Sequence, residues 1–306
     1  MTMNKKLQLL PNAISLVAII GFTFLAGQRH ATEYKPTTAA ANHLPQQVHA
    51  IKPIANPNLA GEPVPLNIDT RERLDRELLV NSYWHSSTLL NIKMANKYFP
   101  IMEPILAANG VPDDFKYLAV AESNLRNVQS SAAAKGIWQF RKLAAKEWGL
   151  EVNSEVDERY HIEKATEAAC KYLKRMHSRF GSWTNAAAAY NVGPTKFARL
   201  LKEQGQDSFY DLNLNSETSR YVFRLIGIKE IMSDPQKYGF YLEPQDLYER
   251  IDNVYYVDVN SSVADWGKWA ADHGVTYRTL KYYNPWLRDS KLTVKNNKYK
   301  IKLPRK

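Results

Sequence analysis

The stretch that decides the fold is DDFKYLAVAE, residues 113–122. One face of an α-helix collects the residues at positions i, i+3, i+4 and i+7, which here are Phe115, Leu118, Ala119 and Glu122. Two aspartates open the stretch and a proline precedes them, and both residue types are favourable in the first turn of a helix. The spacing therefore predicts a helix whose buried face ends in a carboxylate.

Glu122 is a candidate general acid. Burial among apolar groups raises the pKa of a carboxyl group, which prepares it to donate a proton near neutral pH. Most glutamates on helices are solvated surface groups, so the spacing alone is a weak argument. The following sequence strengthens it, because no Asp or Glu occurs from Ser123 to Lys146. The small, polar and aromatic residues found there are typical of carbohydrate-binding clefts.

Four segments in order resemble the motifs of the soluble lytic transglycosylase family, bacterial enzymes with a goose-type lysozyme-like fold that cleave peptidoglycan. They are AVAESNLRNVQSSAAAKGIWQF (119–140), DERYHIEKATEAACKYLKRMHSRFGSW (157–183), AAAAYNVGP (186–194) and ETSRYVFRLIG (217–227). The block before Glu122 is most similar to the membrane-bound transglycosylase D type. The resemblance implies a mainly α, lysozyme-like catalytic domain, which we expect at residues 71–245.

The resemblance implies one catalytic residue and several substrate-binding residues. Glu122 matches the catalytic glutamate, Ser131 a serine that contacts the N-acetyl region of the sugar, and Tyr190 a tyrosine beside the acid. The full set of implied substrate-binding residues is Ser123, Ser131, Gln139, Tyr190, Asn191, Glu217 and Tyr221. One departure is visible, because the family usually has glycine where this chain has Ala133. The extra methyl group is expected to tighten the loop over the sugar.

Several of these residues also have a purely structural interpretation. Trp138 and Phe140 are explained equally well as core aromatics. Gly193 and Pro194, which follow soon after Asn191, are typical of a helix stop. Tyr190 is equally consistent with a packed aromatic whose hydroxyl reaches water. The joint arrangement of the motifs, rather than any one of them, favours a functional site.

Cleavage of a β-1,4 glycosidic bond ordinarily takes two carboxylates, and the sequence offers one clear candidate. A single acid suffices if the substrate supplies its own nucleophile, as the C6 hydroxyl of N-acetylmuramic acid can. Glu122 would then act as both general acid and general base, and the product would carry a 1,6-anhydro ring. Two alternatives stay open: a muramidase that uses water, and a catalytically silent peptidoglycan-binding scaffold.

The N-terminal sequence is typical of an export signal. Lys5 and Lys6 precede an apolar run at residues 14–26. We expect residues 1–27 to be a cleaved signal peptide or a membrane anchor, which would locate the protein in the periplasm or cell envelope. Residues 28–70 are rich in Pro, Ala, Asn, Gln and Thr, and this composition predicts a disordered tether.

Residues 253–306 predict a second, smaller domain. A strand-like alternation at 253–259, two helical or turn-bounded segments, and a closing strand at 299–304 give a β-α-α-β order. With NPWL at residues 284–287, this order resembles the LysM carbohydrate-binding module, a small α+β fold. The Gly-Asp turn of that family is replaced here by residues 260–262 (NSS). The resemblance therefore implies the fold more firmly than the binding of glycan.

Composition limits the partners that we expect. The chain has 306 residues, 44% of them hydrophobic, and a formal charge of +10. Basic residues are interspersed with acids through the catalytic region, so an anionic cell wall is a simpler partner than nucleic acid. With Cys170 as the single cysteine there is no internal disulfide, and the histidines lack metal-ligand spacing. We expect peptidoglycan as the partner, with no metal and no cofactor; nothing predicts the oligomeric state.

Overall fold

The computed structural model describes residues 49–295 and 297–305, and the predicted export segment at 1–27 lies outside them. Residues 50–305 belong to one compact unit. Its helices are α1 (Ile68–Tyr83), α2 (His85–Ala108), α3 (Lys116–Ser123), α4 (Lys142–Glu147), α5 (Ile162–Phe180), α6 (Trp183–Val192), α7 (Pro194–Gln204), α8 (Ser216–Ser233), α9 (Trp266–Asp272) and α10 (Tyr277–Tyr283). Its strands are β1 (Asn58–Leu59), β2 (Glu62–Pro63), β3 (Val254–Val259) and β4 (Tyr299–Pro304). We call the part from β1 to α8 the helical domain, and the part from β3 to β4 the C-terminal module.

Helix α3 carries the stripe predicted from the sequence. Phe115, in the short 3-10 turn before the helix, is fully buried together with Leu118 and Ala119. The helix ends at Asn124, whose left-handed backbone (φ 51°) terminates the helical hydrogen bonding. Glu122 therefore lies in the last turn of α3, where the chain leaves the core of the helical domain.

Helix α8 packs against α1, α3 and α6. The side chain of Asn215 caps its N-terminus by accepting a hydrogen bond from the backbone N–H of Thr218 (2.9 Å). Gly227 lets α8 approach α1 closely, because a Cβ there would lie 3.3 Å from the backbone of Glu77. Since α8 touches both α1 and α3, its side chains reach acidic groups on both helices.

The structure differs from the tether prediction over the residues just before α1. Strands β1 and β2 form a tight antiparallel hairpin, with Leu59 fully buried in the core of the helical domain. The backbone N–H of Ala60 donates to the carboxylate of Asp114 (2.6 Å). The carboxylate of Glu62 caps α6, because it accepts from the backbone N–H groups of Trp183 (2.6 Å) and Thr184 (2.8 Å). These long-range contacts outweigh a composition that otherwise indicates disorder.

The C-terminal module has the predicted β-α-α-β order. Strands β3 and β4 pair antiparallel from Val254 opposite Pro304 to Val259 opposite Tyr299. The buried side chain of Asn284 joins the end of α10 to β4, because it donates to the carbonyl of Lys302 (2.8 Å) and accepts from the N–H of the same residue (2.9 Å). The predicted fold class, a mainly α domain with a small α+β module, is confirmed.

Over residues 49–295 and 297–305, we find no helix of the length and apolarity that crossing a membrane requires.

Candidate active site

Glu122 is held by a tyrosine from α8. The hydroxyl of Tyr221 donates a hydrogen bond of 2.6 Å to Oε1 of Glu122, which itself stays partly exposed. Burial raises the pKa of Glu122 above its ordinary value, and the negative charge of Glu217 adds to the increase. The Tyr221 hydrogen bond and the positive charge of Arg224 oppose this increase without cancelling it. The carboxyl group therefore has the environment of a general acid.

The partner of Glu122 is a neutral donor. Tyr221 is buried, and burial together with the nearby Glu122 carboxylate keeps its pKa well above the ordinary value. The phenol therefore keeps its proton at neutral pH and donates it in the hydrogen bond to Glu122. A donor of this kind stabilises a carboxylate that forms transiently without adding a permanent opposite charge.

The loop at residues 128–140, which we call the active-site loop, is fixed to the end of α3 and to α6. The hydroxyl of Ser123 donates to the carbonyl of Ile137 (2.8 Å), and the hydroxyl of Tyr190 donates to the carbonyl of Trp138 (2.7 Å). Gln139 has a left-handed backbone (φ 52°), and its amide donates to the carbonyl of Gly136 (2.7 Å). Two motifs that are far apart in sequence therefore meet at one loop.

The structure gives Ser123 a structural contact beside the acid. Its side chain is buried, and its hydroxyl also lies 3.1 Å from the carbonyl of Ala119 in its own helix. A buried hydroxyl directed at two backbone carbonyls is not presented to a ligand. Ser123 fastens the active-site loop next to Glu122, and its expected contact with substrate stays a prediction.

Gly136 is required where the active-site loop crosses the backbone of Arg159. Its φ of +80° is one that L side chains rarely adopt, and a Cβ there would lie 1.9 Å from the carbonyl oxygen of Arg159. Trp138 is fully buried and donates from Nε1 to Thr166 (2.9 Å), and Phe140 is also buried. Both aromatic residues of the motif are therefore core residues.

Ser131 lies in an exposed turn of the active-site loop. The turn is closed by backbone hydrogen bonds between Ser130 and Ala134 (2.9 Å) and between Ala133 and Ser130 (3.0 Å). Ala133 has a φ of +59°, which explains why glycine is the usual residue at this position of the motif. The contact of Ser131 with a sugar stays a prediction.

The remaining predicted residues lie on two helices. Asn191 is partly exposed in the last turn of α6, which Gly193 (φ +89°) ends just before Pro194 begins α7. The helix-stop interpretation of this motif is therefore confirmed, and the functional role of Asn191 stays a prediction. Glu217 is exposed in the first turn of α8, one turn before Tyr221, and its charge acts on Glu122.

The structure adds charged residues that the motifs did not indicate. Glu77 on α1 is fully buried, and its carboxylate pairs with the guanidinium of Arg220 and lies 3.7 Å from that of Arg224. Arg224 also acts electrostatically on Glu122. The sequence does contain a signal for Glu77, because this residue falls in an apolar helical stripe with Leu74 and Leu78. Glu122 occupies the same kind of position in α3.

Within the part of the chain that the structure describes, no three His, Cys, Asp or Glu side chains form a group that could hold a metal ion.

Comparison with known proteins finds a family match for the region that contains Glu122. Residues 99–213 match the family model of the transglycosylase SLT domain. Glu122 lies inside this match. Residues 255–306 match the model of the soluble lytic transglycosylase C-terminal LysM-like domain. Glu217 and Tyr221 lie beyond the first match, and the contact between Tyr221 and Glu122 joins α8 to the matched region.

Two curated relatives extend the comparison. The membrane-bound lytic murein transglycosylase D of Escherichia coli K12 is 27% identical over 249 residues, which cover 79% of this chain and 53% of the relative. A putative tributyltin chloride resistance protein of Alteromonas sp. strain M-1 is 23% identical over 145 residues, which cover 47% of this chain and 65% of the relative. The chain spans about half the length of the first relative.

Proposed function

We propose that this protein is a lytic transglycosylase that cleaves the β-1,4 bond between N-acetylmuramic acid and N-acetylglucosamine in peptidoglycan. The observation that supports this most is Glu122, a partly exposed carboxyl with a raised pKa that is hydrogen-bonded to Tyr221. This carboxyl lies inside the match to the transglycosylase SLT domain. The similarity to a murein transglycosylase gives further support.

In the proposed mechanism, Glu122 serves as acid and then as base. Its proton passes to the glycosidic oxygen as the bond to C1 of the muramyl sugar breaks. The carboxylate, with Oε1 hydrogen-bonded to Tyr221, stabilises the positive charge that develops at C1. The C6 hydroxyl of the same sugar then bonds to C1 and returns its proton to Glu122. The product carries a 1,6-anhydro ring, and no water is consumed.

Substrate positioning is assigned to the residues around this acid. We propose that Ser131, Gln139 and Asn191 line the sugar subsites, because each lies on the active-site loop or at the end of α6 and keeps part of its surface exposed. Tyr190 supports the loop through its hydrogen bond to the carbonyl of Trp138. Peptidoglycan glycan strands are the proposed substrate, and the proposed location is the cell envelope.

A hydrolytic muramidase is the second candidate, and Glu217 is the observation that favours it. Glu217 is an exposed carboxylate close enough to Glu122 to raise its pKa. An inverting glycosidase uses a second carboxylate to activate water. In that case Glu217 would be the general base, and C6 of the sugar would take no part in the reaction.

Product analysis separates the two candidates. Purified sacculi are digested in water enriched in oxygen-18, and the muramyl ends are examined by mass spectrometry before and after borohydride reduction. A transglycosylase releases 1,6-anhydro ends that carry no label, resist reduction and are lighter by one water. Reducible ends that contain oxygen-18 would establish a muramidase. If neither product forms, although the protein binds sacculi, it is a silent scaffold.

A further inference from the structure

The C-terminal module is docked on the helical domain through main-chain contacts with residues 151–161, which we call the docking segment. The N–H of Asp157 donates to the carbonyl of Trp286 (2.9 Å), and the N–H of Arg288 donates to the carbonyl of Glu155 (2.8 Å). Between them, Val156 forms an isolated antiparallel bridge with Leu287. Contacts of this kind fix the register of the two segments and leave them little freedom to slide past each other.

Apolar and polar side chains reinforce this docking. Val156 of the docking segment is buried in the same cluster as the core of the module. The carboxylate of Glu155 accepts from the N–H (2.6 Å) and the hydroxyl (3.1 Å) of Thr293. The hydroxyl of Tyr299 donates to the carboxylate of Glu151 (3.0 Å). The module therefore completes its own core with residues of the helical domain.

The docking segment also holds the active-site loop. Arg159 is buried, and its guanidinium makes two hydrogen bonds to the carboxylate of Asp157 (2.8 and 2.7 Å). The remaining nitrogen, Nη1, donates to the carbonyls of Ala133 and Phe140 (3.3 Å each). These two carbonyls flank the turn that carries Gln139. One side chain therefore bridges the docking segment and both ends of this turn.

The chain of contacts ends beside the acid. The carbonyl of Ile137, inside the same turn, accepts the hydroxyl of Ser123, the neighbour of Glu122. The module contacts the docking segment, Asp157 of that segment contacts Arg159, and Arg159 contacts the active-site loop. A glycan subsite on a surface loop needs such support, because misplacement by about 1 Å is enough to reduce a rate on the order of a hundredfold.

We propose that the C-terminal module is a buttress of the active site, and that Arg159 is the positioning residue through which it acts. Docking of the module fixes Asp157, which orients the guanidinium of Arg159 across the two ends of the turn at residues 133–140. Binding of glycan by the module is not needed for this role. The proposal rests on the proposed function only for its kinetic consequence.

Undocking the module in the full-length protein tests this directly. Val156→Asp and Leu287→Asp each put a charge into the buried contact, one from each side, and leave Asp157 and Arg159 unchanged. Val80→Asp, at an exposed valine of α1, is the matched control. Arg159→Lys keeps a positive charge beside Asp157 but lacks the fork that reaches both carbonyls.

Amide hydrogen exchange reads docking and loop order separately. The N–H groups of Asp157 and Arg288 report on docking, and those of Lys135 and Gly136, bonded to Phe140 (3.0 Å) and Val128 (3.2 Å), report on the loop. Both aspartate variants are expected to accelerate all four amides by about tenfold or more. Arg159→Lys is expected to accelerate only the loop amides. Val80→Asp is expected to change none of them.

Kinetics on soluble glycan fragments complete the test. The undocked variants and Arg159→Lys are expected to lower kcat on the order of tenfold, with a smaller change in KM. Fast exchange at Asp157 and Arg288 with wild-type protection at Lys135 and Gly136 and unchanged kcat would overturn the proposal. If a single variant stays docked, Val156→Asp combined with Leu287→Asp supplies the undocked state.

A wild-type protein without activity would refute the proposed function, but the exchange comparison would still decide this inference.

Discussion

Glu122 and Glu77 are two carboxylates at the same kind of position with different partners. Each interrupts the apolar stripe of its helix, α3 or α1, and each faces α8. Helix α8 presents the neutral phenol of Tyr221 to Glu122 and the guanidinium group of Arg220 to Glu77. Glu122 stays partly exposed, whereas Glu77 is fully buried.

The difference shows how an acid on the apolar face of a helix can be kept ready to donate a proton. A cation next to a carboxylate compensates its charge permanently, and the pair then behaves as a structural unit. A neutral hydrogen-bond donor leaves the burial cost largely uncompensated, so that the pKa of Glu122 stays raised and its proton is available. Helical spacing alone does not distinguish the two cases, because the deciding groups come from another helix.

Glu122→Gln is the most severe test of this comparison. The amide has nearly the shape of the carboxyl group but cannot donate the proton, so kcat is expected to fall by about 10³-fold or more. Circular dichroism of the variant should match the wild type. Activity within tenfold of the wild type in a folded variant would remove Glu122 from the mechanism.

The same variant should be more stable than the wild type at neutral pH. Because the folded pKa of Glu122 lies above its unfolded value, the unfolded state loses this proton first as pH rises. The stability that this group contributes is therefore complete below the ordinary pKa of 4.5 and is lost as pH rises toward the folded value. Thermal unfolding should show a gain from Glu122→Gln at pH 7 that vanishes near pH 4.

Glu77→Gln should be less stable than the wild type, the opposite of the change expected for Glu122→Gln. Removing the charge leaves Arg220 and Arg224 without their shared partner, and the free energy of unfolding is expected to fall by about 3 kcal/mol. Glu72→Gln, at an exposed glutamate of the same helix, should stay within about 0.5 kcal/mol of the wild type. Denaturant titration measures both. Equal stabilities for the two variants would break the comparison, since Glu77 would then carry no structural charge pair.

The sequence predicts best what is encoded locally. The stripe, the helix start and the acid of α3 all lie within residues 113–122, so periodicity suffices to find them. The contact between Glu122 and Tyr221 spans 99 positions, and only the packing of α8 reveals it. The resemblance to a known family named Tyr221 as a site residue, but it did not indicate which group the hydroxyl would meet.

Other predictions failed or stay incomplete where long-range contacts decide. The composition before α1 indicates a tether, but Leu59 is buried in the core as part of a hairpin that the sequence pattern does not predict. Ser123 lies next to the acid in the motif, yet its hydroxyl bonds the carbonyl of Ile137. Ser131 and Asn191 stay predictions, since their proposed partner is a sugar.

Tyr221→Phe sharpens the comparison on the side of Glu122. The hydroxyl favours the ionised carboxyl, so its loss should raise the pKa of Glu122 further and move the basic limb of the activity profile to higher pH. A fall in kcat of about tenfold at most is expected from one hydrogen bond. Tyr190→Phe is the control, because its lost hydroxyl bonds the carbonyl of Trp138. The basic limb should stay in place in that control, and a shift of equal size would show that the Tyr221 bond is not what tunes the acid.

Glu217→Gln gives the smallest expected effect and decides between the two proposed chemistries. Glu217 is exposed and raises the pKa of Glu122, so its neutralisation should lower that pKa and move the basic limb to lower pH, opposite to Tyr221→Phe. Salt screens an exposed charge, so the shift should shrink at about 1 M ionic strength. Glu203→Gln, at an exposed glutamate of α7, is the control and should leave the profile unchanged.

If Glu217 were instead the base that activates water, its loss would lower kcat by about a hundredfold or more at every pH. A small, salt-sensitive shift therefore agrees only with a site in which Glu122 works alone.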